Sequence, residues 1–327
     1  MLSTLTCLLR LLSSAFVMAV LAVAHVHAAT WPEKPVLLLV PYSAGSPPDV
    51  VARIVAQHLG VALGQPVVVE NKIGAIGLVA LRELIRRPGD GYTLMNLGMT
   101  GATAPALLPE QKVELQSAIR PIVQTDWSAS VLVVNDELPA RNVKELVALM
   151  RQKPGVLNFG SGGMGTPAHL VAEVLKRDQK LDAVHVPFAQ FSQAVPELIS
   201  NRVQMMFLTS SVAVPQVQAG KLRALAVVSP ERLQALPTVP TMAEEGFDQF
   251  QRRTWGGFVA KAGTPPEVVE RINREVNRIL RMPEVRDRLI ERGNMPAGGT
   301  PQQFDELIAS ETDYWAEVIR SAKVKVE

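Results

Sequence analysis

The residues of this 327-residue chain whose types and spacing could do chemistry gather at Gly160-Ser161-Gly162-Gly163-Met164-Gly165. The string fits G-x-G-x-x-G between an expected strand and an expected helix, the setting of a dinucleotide-binding loop. That use requires an acidic residue at the end of the next strand to hold a ribose. Here the strand ends at Val186-Pro187, and Asp182 stands at its start. A serine nucleophile would require G-x-S-x-G, and Phe159 occupies the place of the first glycine before Ser161. His58, His169 and His185 fall on separate elements without metal-ligand spacing, so neither a metal nor a cofactor is assigned. What remains is the physics of the loop. Glycines let backbone approach a ligand, and Thr166-Pro167 opens a helix whose first N–H groups have no partner inside it, a place that attracts an anion. His169 falls in the first turn of that helix, either facing the anion or packed and hydrogen-bonded.

The elements that must position this loop alternate. From residue 35 to 260, β-rich runs and helical patterns follow one another, the signature of βαβ units, so the fold class is α/β with mainly parallel sheets. Val36 to Val40 reads as a strand, Pro41 to Pro48 as a loop feeding a helix from Asp49, and Gly64 as its end. Pro66 to Glu70 is a second strand and Asn71 to Gly77 a second loop, before a helix marked by Leu81, Leu84 and Ile85. Tyr92 to Leu97 is a third strand, and Gly98 to Pro105 is small and polar enough to read as a third loop. The pattern restarts at Val131 to Val134, with Asn142 and Glu145 at N-cap and N3 of a helix. Strands follow at 156–159, 183–186, 203–207 and 222–228. Thr264-Pro265 with Glu267, and Thr300-Pro301 with Gln303, open two closing helices. Val269, Ile272, Val276 and Ile279 share one core face, and Phe304, Leu307, Ile308, Trp315 and Ile319 the other.

The first 28 residues read as a secretory signal. Arg10 supplies the positive charge, Leu11 to Val23 an apolar run too short for the roughly 20 residues of a membrane span, and Val26-His27-Ala28 the small residues before cleavage. Cys7, the only cysteine, precedes the apolar run, so no lipid anchor is expected, and cleavage leaves a chain without thiols. Roughly 300 residues remain, enough for two domains. With 33 basic and 31 acidic residues interspersed along the chain, a nucleic-acid surface is excluded.

A set of strings completes the reading: Trp31-Pro32; Val40-Pro41-Tyr42-Ser43-Ala44-Gly45 leading to Asp49; Val69-Glu70-Asn71-Lys72 with Gly74-Ala75; Asp90-Gly91-Tyr92-Thr93-Leu94; Ser161 to Thr166 with His169-Leu170; His185-Val186-Pro187-Phe188; Val239-Pro240-Thr241; and Ala262-Gly263-Thr264-Pro265. In this order and spacing, over nearly the whole chain after the signal, the sequence resembles the Bug family, the solute receptors of tripartite tricarboxylate transporters. The resemblance implies a periplasmic, bilobed binding-protein fold of the type II kind, not an enzyme. It implies a first domain of residues 30–128 plus 241–327 and a second of 129–240. It further implies a small carboxylate ligand between the lobes and, as partner, the membrane component of such a transporter or a sensor protein, with the receptor itself a monomer.

Carried over by position, the first-lobe contacts are Tyr42, Ser43, Ala44 and Gly45 in one loop and Gly74, Ala75 and Ile76 in the other. The second lobe offers Ser161, Gly165, Thr166 and His169. Phe188 and Gln190 read as wall residues of that lobe, with core packing the other role open to Phe188. Asp49 either touches the ligand or caps the first helix. Departures from the family fall on the site. Ser46 stands where a second glycine is favoured, Ile73 and Ile76 where proline and glycine are, Ala80 in place of a later glycine, and Leu208 in place of an aspartate after the strand phenylalanine. Leu208 and Ile76 together point to a ligand with a less polar body. The rival classes are an exported serine hydrolase and a structural or interaction protein.

Overall fold

The computed structural model describes residues 31–188 and 191–324. The expected signal segment and Gln190 lie outside the described residues. The chain folds around two mixed sheets, which fits the bilobed α/β expectation. The first contains β1 (Val36–Val40), β2 (Val67–Asn71), β3 (Thr93–Gly98), β4 (Ile119–Ser128), β10 (Thr254–Lys261) and β11 (Met295–Gly298), in the order β11-β4-β10-β3-β1-β2. The second contains β5 (Ser130–Asn135), β6 (Asn158–Ser161), β7 (Val184–Pro187), β8 (Met205–Thr209) and β9 (Leu222–Val228), in the order β7-β6-β8-β5-β9.

The expectation of mainly parallel sheets is corrected. β1 is parallel to β2 and β3, but β10 pairs antiparallel with both β3 and β4, and β5 antiparallel with β8 and β9. The antiparallel strands are those that carry the chain between the sheets. β4 and β5 are separated by Ala129 alone, itself 1% exposed, so one backbone runs almost uninterrupted from the first sheet into the second. Pairing of Thr254 with Ser128 brings the returning strand β10 beside the same crossing point.

β10 has a physical reason for escaping the sequence reading. Its Gly256-Gly257 looks like a turn, yet a Cβ on Gly257 would lie 2.3 Å from Phe304 Cζ and 2.5 Å from the Val123 carbonyl. Glycine is there for close approach within a strand. Of the residues 98–105, expected as a loop, Gly98 ends β3 and the rest are helical: α3 (Met99–Leu107) follows α1 (Pro47–Leu63) and α2 (Leu78–Arg86). Small residues made the segment look irregular, but Ala102 and Ala104 are buried, and the helix packs on α11 (Pro301–Ser321). Strands expected at 156–159 and 203–207 sit two residues later; Val156 is 62% exposed, outside the sheet.

The remaining helices are α4 (Leu115–Ala118), α5 (Val143–Gln152), α6 (Pro167–Gln179), α7 (Phe191–Ile199), α8 (Ser210–Gln218), α9 (Pro266–Leu280) and α10 (Pro283–Glu291). Asn142 accepts from the Glu145 N–H at the start of α5, and Thr300 with Gln303 forms a complete capping box on α11, as their spacing predicts. Thr264 does not cap α9. Its hydroxyl donates to the Lys261 carbonyl, closing the preceding turn, and the helix begins after Pro265.

Two apolar cores flank the first sheet. One joins β1, α1 and α9 through residues such as Val36, Leu59, Ile272 and Val276. The other is continuous from α3 through Phe159, Leu170 and Val174 to Phe304 and Trp315, so it ties the first sheet's side to the second's. Leu208, expected near the ligand, is fully buried in a third cluster with Val131 and Val133. Burial in that core removes it from any ligand surface in this conformation.

Candidate functional site

Two loops at the carboxyl ends of β1 and β2 are bound to each other through Asp49. This carboxylate is 1% exposed. It accepts from the Gly45 N–H at 2.8 Å, Arg53 Nε at 2.9 Å and Asn71 Nδ2 at 2.7 Å. Burial alone would raise its pKa, but the bonds from Arg53, Asn71 and Gly45 outweigh burial and hold the carboxyl below its ordinary value. Asn71 also donates to the Tyr42 carbonyl at 2.9 Å, and Arg53 Nη2 donates to Asn71 Oδ1. Asp49 therefore positions the 42–45 loop. With both oxygens engaged and Gly45's N–H taken, neither offers a free group to a ligand.

Pro47 and Pro48 fill the first two positions of α1, so its amino end lacks two of the amide donors a helix start ordinarily presents. Ser46, at the N-cap, makes no cap bond, and its hydroxyl is buried without a partner. The N–H groups of Tyr42, Ser43 and Ala44 in this loop have no acceptor among the described residues.

The second loop has an unusual backbone. Gly74, Ala75, Ile76 and Gly77 have φ of 136°, 44°, 56° and 91°. A left-handed isoleucine is a steric outlier, of the kind that persists where surrounding structure enforces it. The Gly77 N–H returns to the Gly74 carbonyl at 3.0 Å, while those of Ala75 and Ile76 have no acceptor among the described residues. Both face the same region as Tyr42. Together Pro41, Tyr42, Ile73 to Gly77, Thr100 and Gly101 line a cavity of about 170 Å³. Burial pushes the Tyr42 phenol up to about 12, against the opposing pull of its hydrogen bond with Thr100, so it stays a neutral wall group.

On the second sheet, Ser161 is fully buried. Its hydroxyl lies 2.7 Å from His185 Nε2 and 2.9 Å from the Gly163 carbonyl, and accepts from the Gly163 N–H at 3.1 Å. His169 accepts from the Gly165 N–H through Nδ1 at 3.0 Å, so the histidine braces the loop from below. Its ring stacks on His185, with centroids 3.9 Å apart, and His185 stacks on Phe159. Burial lowers His169 to about 3, helped by His185 and Lys176, and lowers His185 to about 4, helped by Lys176. Both rings are neutral at pH 7.

Thr166 turns its hydroxyl to the Gly163 carbonyl at 2.7 Å and so does not cap α6. The N–H groups of Ala168 and His169 at that helix start have no acceptor among the described residues. Phe188, half-buried, donates its N–H to the Ser161 carbonyl and stands beside this loop. A serine beside a histidine could begin a nucleophile–base pair. Ser161, however, has no exposed surface, and among the described residues no carboxylate bonds the other nitrogen of His185.

α3 links the two halves of the site. Its first turn supplies Thr100 and Gly101 to the cavity, and Leu107 at its far end meets Gly165, where a Cβ would fall 2.3 Å from Leu107 Cδ1. Six or seven residues of helix span about 10 Å.

The sequence profile of the tripartite tricarboxylate transporter family receptors matches residues 51–324. The chain belongs to that family. Over 291 residues this receptor is 34% identical to a protein from the tcbD-tcbE intergenic region of Pseudomonas sp. (strain P51), covering 88% of this chain and 86% of the relative. It is 31% identical over 309 residues to BugT of Bordetella pertussis, covering 93% and 94%. Among solved structures it resembles MatC of Rhodopseudomonas palustris with bound malate (29% identity, TM-score 0.79, 88% and 100% covered). It also resembles an R. palustris protein with adipate (28%, TM-score 0.81, 90% and 99% covered). This receptor is thus a Bug-type solute-binding protein.

Some of the receptor's site residues escaped the sequence reading. Thr100 and Gly101 lie in the segment 98–105 read as a third strand-end loop, and neither was singled out within it. His185 stood in one of the family strings but was given no role, because its partner Ser161 lies on the neighbouring strand β6, 24 residues away in sequence. Arg53 had a usable signal: it follows Asp49 by four residues, one helical turn.

Proposed function

We propose that this receptor closes a first lobe of residues 30–128 plus 241–327 and a second lobe of residues 129–240 on a small carboxylate. It then delivers the carboxylate, unchanged, to the membrane component of a tripartite transporter. Tyr42, Ser43, Ala44, Gly74, Ala75 and Ile76 would form the first-lobe surface, and Thr166 and Phe188 the second, with Ser161, Gly165 and His169 buried beneath them as its supports; Gln190 joins this set from the sequence alone. Export as a monomer, with cleavage after Ala28, belongs to the same reading.

The observation that carries it is the set of unpartnered N–H groups. Those of Ala75 and Ile76 line the first-lobe cavity, those of Ser43 and Ala44 follow Tyr42 in the loop after β1, and those of Ala168 and His169 open the helix start on the second sheet. Such an array accepts an anion without a basic side chain. Hydrogen bonds to a charged group contribute roughly 1.5–3 kcal/mol each, so three or four support about micromolar affinity after ordering costs. The malate and adipate held by the two R. palustris proteins support a carboxylate.

A thermal-shift screen of the purified mature protein against mono-, di- and tricarboxylates tests the reading. A thousandfold excess of ligand over Kd stabilises the folded state by about 4 kcal/mol, an obvious rise in Tm. Silence across the panel from folded, ligand-free protein would sink it. Ester turnover abolished by Ser161→Ala would sink the claim that the ligand leaves unchanged.

A further inference from the structure

We infer that the ligand is a carboxylate with an apolar body, and that Ile76 sets a preference against acids bearing an ammonium beside the carboxylate. The inference rests on the carboxylate-receptor reading and deepens it.

The cavity wall carries no charged side chain. Its N–H groups without an acceptor include those of Ala75 and Ile76, and its polar side chains are the hydroxyls of Tyr42 and Thr100. An ammonium, which is only a donor, meets no charged acceptor here. Among the described residues no carboxylate lines the cavity. The nearest candidates are spent or screened. Asp49 has both oxygens bonded, one by Asn71 and the other by Gly45 and Arg53, and Asp126, 8% exposed, accepts from Thr125 Oγ1 at 2.8 Å.

The rest of the rim is hydrocarbon. Ile73 is 62% exposed and Val79 41% exposed, and Val79 folds over Gly74, whose Cβ would meet Val79 Cγ2 at 2.9 Å. Ile76 stands between them at φ 56°, ψ 34°. A glycine would adopt that backbone without strain. The branched side chain therefore occupies volume at a turn whose amides line the cavity, and presents no acceptor there. An acid with a methylene chain buries that chain against these residues, whereas its amino analogue would leave a desolvated ammonium uncompensated.

The test is calorimetric titration of the wild-type protein with matched pairs: hexanoate against 2-aminohexanoate, and adipate against 2-aminoadipate. Ile76→Asp is titrated alongside, since aspartate tolerates a left-handed backbone. The expected result is at least about hundredfold tighter binding of the acid lacking the amine, with a tenfold or greater narrowing of that ratio in Ile76→Asp. Equal affinity within each pair would overturn the inference and leave the receptor reading standing. A preference that Ile76→Asp fails to narrow would overturn the role given to Ile76. Failure of every acid to bind folded protein would remove both readings.

Discussion

Replacing Gly165 by alanine tests whether the second-lobe loop is registered against the first lobe by α3. Gly165 has φ 72°, and a Cβ there falls 2.3 Å from Leu107 Cδ1 and 3.5 Å from its Cγ. The left-handed backbone costs an alanine about 1 kcal/mol, and the forced displacement of Leu107 adds about 1–3 kcal/mol of overpacking. Gly165→Ala alone should thus lose about 3 kcal/mol. Leu107, 5% exposed, should lose about 2–4 kcal/mol as Leu107→Ala. In the double variant the new methyl enters the space the leucine left, so the combined loss should fall short of the sum by about 1–3 kcal/mol, while the backbone strain remains. Urea unfolding of the four proteins without ligand measures this. Additivity to within about 0.5 kcal/mol would refute the contact, and with it the argument that α3 connects the cavity to the loop.

Two further outcomes follow from the histidine stack and its surroundings. His185→Ala should leave the buried Ser161 hydroxyl short of a partner and destabilise the protein by about 2 kcal/mol, with Ser161→Ala on the same background adding little, read by urea unfolding. Acid should weaken the fold between pH 7 and 5. The histidines ionise in the unfolded chain near 6.5 but in the folded one only near 3 and 4, so their stabilisation is complete above 6.5 and fades as pH falls. His169, 2% exposed, accounts for about 2 kcal/mol of that loss. Asp126 runs the other way. Burial raises it from 3.8 to about 6, against the Thr125 bond, so the folded state takes up its proton first and regains about 1 kcal/mol over the same interval. Asp126→Asn should accordingly steepen the acid-side decline of Tm, and an unchanged profile would count against both assignments.

The parts of the fold that periodicity could reveal were legible. β1 is an unbroken apolar run because both its faces are covered, and the Thr300–Gln303 box marks α11 by the chemistry of its first four residues. What escaped was set by distant partners. β10 contains two glycines because Phe304 and β4 crowd it, and α3 contains small residues because α11 lies against it; in both, a tertiary demand imitates a turn signal. At the candidate site, the strings around Tyr42, Gly74 and Ser161 pointed to the loops at the ends of β1, β2 and β6, since glycine and hydroxyl residues flag close backbone approach. They could not say which amides remain open. That depends on Asp49 claiming Gly45 and His169 claiming Gly165, hydrogen bonds across four residues whose direction only the folded backbone decides.

The double proline at the start of α1 bears on how fast a solute can be caught. With two amides missing there and no lysine or arginine in the cavity wall, the first lobe meets an anion with short-range dipoles rather than with a net charge. Dipole fields decay within a few ångströms, well inside the screening distance of about 8–10 Å that ordinary salt imposes. Such a receptor forgoes long-range attraction of its solute. Its capture rate should accordingly vary little with ionic strength, the same in a fresh medium as in a brackish one.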